Sequence, residues 1–345
     1  MPSNSLHSVV CIGGGTGLAC LLKGLKYRVI ENPVIIPPRM KPWISRLTAV
    51  VTVSDDGGSS GRLREELQVL PPGDIRNCLV ALGADESLLA RLFQYRFAGS
   101  GQLHGHSFGN LFLTALTSVT GDFLEAIRVS SDVLAIKGRI YPATLNDVRL
   151  KAVLEDGCTL FGESSISKSQ VRIASLSLSP PDCRPVPAVL EAIRRADLIT
   201  VGPGSLFTSL LPNLLVPGIA RALRKSPALK IFICNLMSQP GETIGFSAAD
   251  HVEALYRHAG GGLFDVMILN SQPISPTVLA RYRKEGSAPV CADRGRVSSM
   301  GLVIIEESLL AGGRVVRHDP HLLAEAVYKA WGRAKSPAGS AGKEA

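Results

Sequence analysis

Several clusters of small and polar residues in this 345-residue chain have the types that bind a charged ligand. In "IGGGTGL" (12–18), Gly13, Gly14, Gly15 and Gly17 surround Thr16, between an apolar run (8–13) and the helix-like "LACLLKGLK" (18–26). Glycines permit a tight turn and a close backbone approach, and free N–H groups at a helix start attract phosphate. An ordinary strand-to-helix turn needs fewer glycines, so the cluster predicts a phosphate site. It is not the full dinucleotide fingerprint: counted from Gly13, the third glycine position holds Leu18. Nor does an acid end a second strand about twenty residues later.

A second stretch, "VVTVSDDGGSSGRLREELQVLPPGDIRN" (50–77), ends an apolar run with Asp55 and Asp56, then supplies small residues, Arg62, Arg64 and Arg76. Helix capping needs one such acid. Two adjacent carboxylates at a strand end could accept hydrogen bonds from a ribose or hold a divalent cation. Asp74 is most simply a cap. Arg76, beside Asn77, pairs either with a phosphate or structurally with Asp55 or Asp56; the residues leave both open. "HGHSFGNL" (104–111) offers Ser107 and Asn110 as polar contacts at a helix start. His104 and His106 suggest a metal or a base, but no third ligand stands near them. "VGPGSLFTSLLPNLL" (201–215) brings Gly202, Gly204 and Ser205 toward the same crevice, with Pro203 shaping the turn. "CNLMSQPGETIGFSAADH" (234–251) contributes Asn235, Gln239, Glu242 and Thr243, types that read a base edge or sugar hydroxyls or close loop hydrogen bonds.

The elements that must position these residues are short β-branched runs at 8–13, 47–53, 172–178, 197–202, 230–235, 264–270 and 302–307. Near-continuous apolarity fits strands covered on both faces, and their alternation with helical segments predicts an α/β, Rossmann-like, mainly parallel sheet. Ligands then gather outside the carboxyl ends of the strands. Between about 85 and 135 the spacing of Leu, Phe, Ile and Val predicts a mostly helical insertion. Residues 141–171 predict extra strands. The reading is one domain over 8–332, with a flexible start at 1–7 and a disordered tail at 333–345, which has almost no apolar content.

The composition, with 46% hydrophobic and 19% charged residues, is that of a soluble globular chain. A formal charge of +8 suits an anionic ligand, but no dense basic run with interleaved aromatics supports a nucleic-acid partner. The seven cysteines are scattered without a Cys-x-x-Cys pair, as expected of reduced thiols in a cytoplasmic protein. The uncharged stretch 198–220 holds Pro203, Pro212 and Pro217, so no membrane span is expected. A homo-oligomer is compatible with the sequence, which does not set the assembly state.

Together, "GGGTGL", "VTVSDDGGSSGRLR", "PPGDIRNCL", "HSFGNL", "GPGSLFTSLLPNLLVPGI" and "CNLMSQPGET" resemble the gluconeogenesis factor family (YvcK-like). That family is related to 2-phospho-L-lactate transferase (CofD-like) of deazaflavin coenzyme biosynthesis. The resemblance runs in motif order from about residue 8 to 310. It implies a nucleotide cleft formed by Gly13–Gly17, Asp55, Asp56, Arg76, Asn110 and Gly202–Ser205. It also implies a regulator of cell shape on gluconeogenic carbon that binds UDP-sugars such as UDP-N-acetylglucosamine. The alternative is a transferase acting on a nucleotide diphosphate ester, with Asp55 or Asp56 holding Mg²⁺. A nicotinamide-dependent oxidoreductase is disfavoured by the imperfect fingerprint.

Overall fold

The computed structural model of the protein describes residues 6–30, 42–83 and 88–334. Most of the expected flexible start, the Pro-rich stretch after residue 30 and nearly all of the tail lie outside them. His7 already belongs to the first strand, and residues 333–334 end the last helix.

The strands are β1 (His7–Gly13), β2 (Ile44–Val51), β3 (Arg139–Pro142), β4 (Arg149–Leu154), β5 (Thr159–Phe161) and β6 (Ile173–Ser179). They continue as β7 (Leu198–Val201), β8 (Leu229–Ile233), β9 (Val266–Asn270) and β10 (Val303–Glu307). Seven form one sheet in the order β10-β9-β8-β7-β1-β2-β3, and every neighbouring pair is parallel. Covered by helices, β1 and β7 are apolar nearly throughout and buried, as sheets closed on both faces require. The expected α/β, Rossmann-like parallel sheet is the observed fold.

One apolar run goes elsewhere. Residues 172–178 become β6 of a separate antiparallel sheet, β5-β4-β6. The reason is visible in "IASLSLS", where leucine alternates with serine and burial alternates with it, the period of a strand with one wet face. The neighbouring runs in 141–171 supply β4 and β5.

Helices α1 (Gly15–Leu25), α2 (Gly58–Leu67) and α3 (Gly73–Leu82) follow the first two strands. Between α3 and β3 come α4 (Leu88–Gln94), α5 (Phe108–Thr120) and α6 (Phe123–Val133), the first two knit by the rings of Phe93, Phe108 and Phe112. Asp122 caps α6 by accepting from the amides of Leu124 (2.6 Å) and Glu125 (3.2 Å). A short helix, α7 (Glu163–Ile166), follows β5. Among the described residues no single helix is long and apolar enough to cross a membrane. The apolar segments Leu206–Leu215 and Ile219–Lys225, which begin within the uncharged stretch 198–220, are bent against each other by 79°.

Candidate functional site

The chain leaves β1 toward β2 and β3 on one side, and later returns to place β7 through β10 on the other. The strand order therefore reverses between β1 and β7, and a crevice opens where their following loops diverge. A cleft of about 780 Å³ occupies that point. Its walls include the turn after β1, the turn after β7 and the loop after β8.

At the first wall, Gly14 precedes α1 with no side chain capping it, and Gly15 has φ +61°, a left-handed conformation that glycine adopts at little cost. The N–H of Gly15 donates to the Asp74 carboxylate. Thr16 and Gly17 line the cleft, where the remaining orphan amides of a helix start are available to an anion. Gly14 and Gly17 also make room: a Cβ on Gly14 would lie 2.6 Å from Asp74 Oδ2, and one on Gly17 would collide with the Pro203 carbonyl. The glycines thus let the turn after β1 touch both α3 and the turn after β7. Gly13 stays in β1, behind the cleft lining.

The second wall is tied to the third by side chains. Asn235 Oδ1 accepts from the Gly204 amide (3.2 Å), and Gln239 Nε2 donates to Ser205 Oγ (2.7 Å). Gly204, Ser205, Asn235 and Gln239 all line the cleft. Gly202 does not; its φ is +90°, and a Cβ there would lie 2.7 Å from the Ile233 carbonyl oxygen. Glu242, expected as a loop polar contact, is buried and accepts from Phe207 N (3.0 Å) and Thr208 Oγ1 (3.1 Å).

Cations enter from α1, from α3, from the helical insertion and from the segment after β10. Lys23, Arg76, Arg96 and Arg317 lie on the cleft wall. Arg76 is held by Ser107 Oγ (2.7 Å) and Asn77 Oδ1 (2.6 Å), so Ser107 acts behind the lining rather than in it. Ser107 also caps α5 through the Asn110 amide (3.1 Å). Burial first, then the nearby Arg96 charge, push the Arg76 pKa down, against the opposing pull of Asp74 and Asp55.

Arg76, Asn77 and Arg96 also border a smaller recess of about 280 Å³. Asp55 and Asn110 lie on that recess, not on the main cleft. Asp56 lies on neither. It accepts from the Ser164 amide (2.8 Å) and so anchors α7, and with it the small sheet, to the turn after β2. Asp55 Oδ1 accepts from the Gly57 amide (2.9 Å). The two adjacent acids therefore have different partners, and among the described residues no group of three His, Cys, Asp or Glu is placed to hold a metal ion. Asp74 is the acid whose weight the sequence hid: burial first, then the Asp55 charge, raises its pKa to about 6. Burial and the charges of Asp55 and Asp74 push Glu163, on α7, up to about 9. His106 points its Nδ1 at Ser59 Oγ (3.1 Å), and burial lowers its pKa.

Lys23, Arg96 and Arg317 carried no sequence signal, because isolated basic residues on three distant segments form no motif.

Comparison with known proteins agrees with this architecture. The family described as 2-phospho-L-lactate transferase CofD matches residues 9–310. The chain is 47% identical to the gluconeogenesis factor of Halalkalibacterium halodurans over 330 residues, 95% of this chain and 98% of that one. It is 46% identical to the gluconeogenesis factor of Bacillus subtilis over 317 residues, 92% of this chain and 95% of that one. A crystal structure of a Bacillus halodurans member of the UPF0052 family superposes with a TM-score of 0.86 at 46% identity, covering 94% of this chain and 99% of that one. The matched span contains every wall of the cleft except its rim at Ala311–Pro320, and the chain belongs to the CofD family and is related over nearly its whole length to the gluconeogenesis factors.

Proposed function

We propose that the protein is a cytoplasmic regulator that binds a nucleotide sugar, UDP-N-acetylglucosamine or a close relative, and links gluconeogenic carbon status to cell shape. The observation that carries this reading is the cleft at the β1/β7 reversal, with an uncapped glycine turn on one wall and Arg76 and Arg96 on another. Backbone donors and guanidinia facing one space suit a diphosphate. Val80, Leu236 and Met237 supply apolar surface for a base, and Asn235 and Gln239 supply hydrogen-bonding groups for its edge or for a ribose.

A melting experiment tests it. A ligand at one hundred times its Kd stabilises the native state by about 2.7 kcal/mol, a shift of several degrees for a chain of this size. UDP-N-acetylglucosamine should give that shift, without turnover, and NAD should not. A shift with NAD alone would reverse the reading and make the cleft a divergent dinucleotide site.

One arrangement favours a transferase instead. Asp55 and Asp74 meet Arg76 at the junction of cleft and recess, where a diphosphate ester would be cleaved. Mg²⁺ commonly uses one or two carboxylates plus substrate phosphates, and Asp55 fits that role, whereas Asp56 is committed to Ser164. Bound there, the ion would neutralise charge on the diphosphate. Mg²⁺-dependent transfer of phospholactate from a guanosine diphosphate donor would establish this reading over the regulator.

A further inference from the structure

Resting on the nucleotide-sugar reading, we propose that the smaller recess beyond Arg76 is the sugar subsite, with the nucleoside held in the larger cleft. The two spaces share Arg76, Asn77 and Arg96, so they meet at the guanidinia. A diphosphate lying there would send its nucleoside one way and its sugar the other.

The chemistry of the two walls differs accordingly. The cleft includes Val80, Leu236 and Met237, whereas every residue bordering the recess is Gly, Ser, Asp, Asn or Arg. A base has flat apolar faces to cover; a hexose presents hydroxyls around its whole rim. The recess, at about 280 Å³ against about 780 Å³ for the cleft, is the smaller of the two spaces, so the larger nucleoside end of the ligand fits the cleft and the single sugar ring the recess.

Charge points the same way. The recess lining holds Arg76 and Arg96 together with Asp55 and Asp74, two cations with two acids. A free anion there would meet the carboxylates and a free cation the guanidinia, so a neutral, hydroxyl-rich group is the occupant with no uncompensated repulsion. The wall also retains hydrogen-bonding capacity. Asn110 is 1% exposed, and its Oδ1 has no partner, while its Nδ2 makes only long bonds to Ser59 (3.2 Å) and Ser60 (3.4 Å). Arg76 Nε, also closed off from solvent, has none either. Buried polar groups left without partners cost stability, and a small rearrangement around a bound sugar would satisfy them.

The sugar increment in affinity is the measurement that isolates the recess. Calorimetric Kd values for UDP and UDP-N-acetylglucosamine would be compared in the unaltered protein, Asn110→Ala and Ser60→Ala, each checked for an unchanged melting profile. The unaltered protein should bind the sugar nucleotide about tenfold or more tighter than UDP, the scale of one or two good hydrogen bonds. Both variants should lose most of that increment while keeping the affinity for UDP. Ser60→Ala removes only a hydroxyl and carries the test alone if Asn110→Ala does not fold. Equal losses for both ligands, or an increment that survives in the variants, would overturn the proposal. So would an unaltered protein that gains nothing from the sugar, or inorganic phosphate that competes away the increment. An unaltered protein that binds neither ligand would sink the nucleotide-sugar reading itself.

Discussion

The turn after β1 and the turn after β2 lie side by side on adjacent parallel strands, yet they spend their polar groups differently. The first has no side-chain cap of its own, and Gly14 to Gly17 face the cleft. The turn after β2 carries more polar residues, with two acids and a run of small side chains, but much of it is internal wiring. Asp56 holds Ser164 and Asp55 holds Gly57. Gly61, in the first turn of α2, is needed because a Cβ would strike the Asp56 carbonyl. A turn that gives one donor, the Gly15 amide, to Asp74 and turns the rest of its backbone to the cleft can bind; one that satisfies its own acceptors mainly builds. Asp55 does both, because it also borders the recess, as do Gly57 to Ser60 after it.

The largest break in that contrast should come from Gly17→Ala. Its Cβ would press on the backbone of Pro203 and Gly204, which cannot yield as a side-chain end could. The cost should be about 3 kcal/mol, at the top of the range for overpacking, and thermal denaturation would read it. A parental melting temperature would mean the two glycine turns do not depend on their close approach.

The next effect is a slope in pH. The folded pKa of Asp74, about 6, lies above its ordinary value of 3.8, so the folded state holds this proton more tightly. That contribution to stability is fully present below the ordinary value and is lost as pH rises through about 6. Asp74→Asn should flatten denaturation midpoints across this window, and an unchanged slope would refute the assignment.

Gly15→Val should act mainly on the ligand. Its Cβ would meet only Ser209 Oγ, at 3.5 Å, so the protein has space for it, but the φ of +61° is left-handed. The strain should cost about 1–2 kcal/mol. Affinity for UDP-N-acetylglucosamine should fall far more than stability, and a folded variant with parental affinity would remove the phosphate role from this turn. The smallest effect belongs to Asp56→Ala, which should lose about 1 kcal/mol with the Ser164 hydrogen bond and leave ligand affinity intact. Loss of binding in Asp56→Ala, with stability unchanged, would return that acid to the site.

The sequence was readable where a local pattern has one structural meaning. Near-continuous apolar runs such as 8–13 and 264–270 contain buried parallel strands, because a sheet covered on both faces favours them. The glycine turn after β1 announced itself because side chains are excluded there for reasons of backbone geometry and contact. By contrast, 172–178 has the same β-branched character, and only its alternation of leucine and serine separates it from the main sheet. β3, four residues beginning with Arg139 and ending with Pro142, is too short to carry a pattern of its own.

What the sequence alone determined was the class of fold and the presence of a glycine turn at the start of α1, since both follow from residues adjacent in the chain. Only the tertiary structure decided which polar groups remain available. Ser107 turned from lining residue to support for Arg76, Asp56 to a tether for α7, and Asp74 to a partner of Gly15. Lys23, Arg96 and Arg317 meet at one cleft from segments far apart in the chain. The physical reason is that a hydrogen bond or a Coulomb contact acts over a few ångströms of space, whatever the separation along the backbone, so a residue's type states what it could bind and only its neighbours state whether it is already bound.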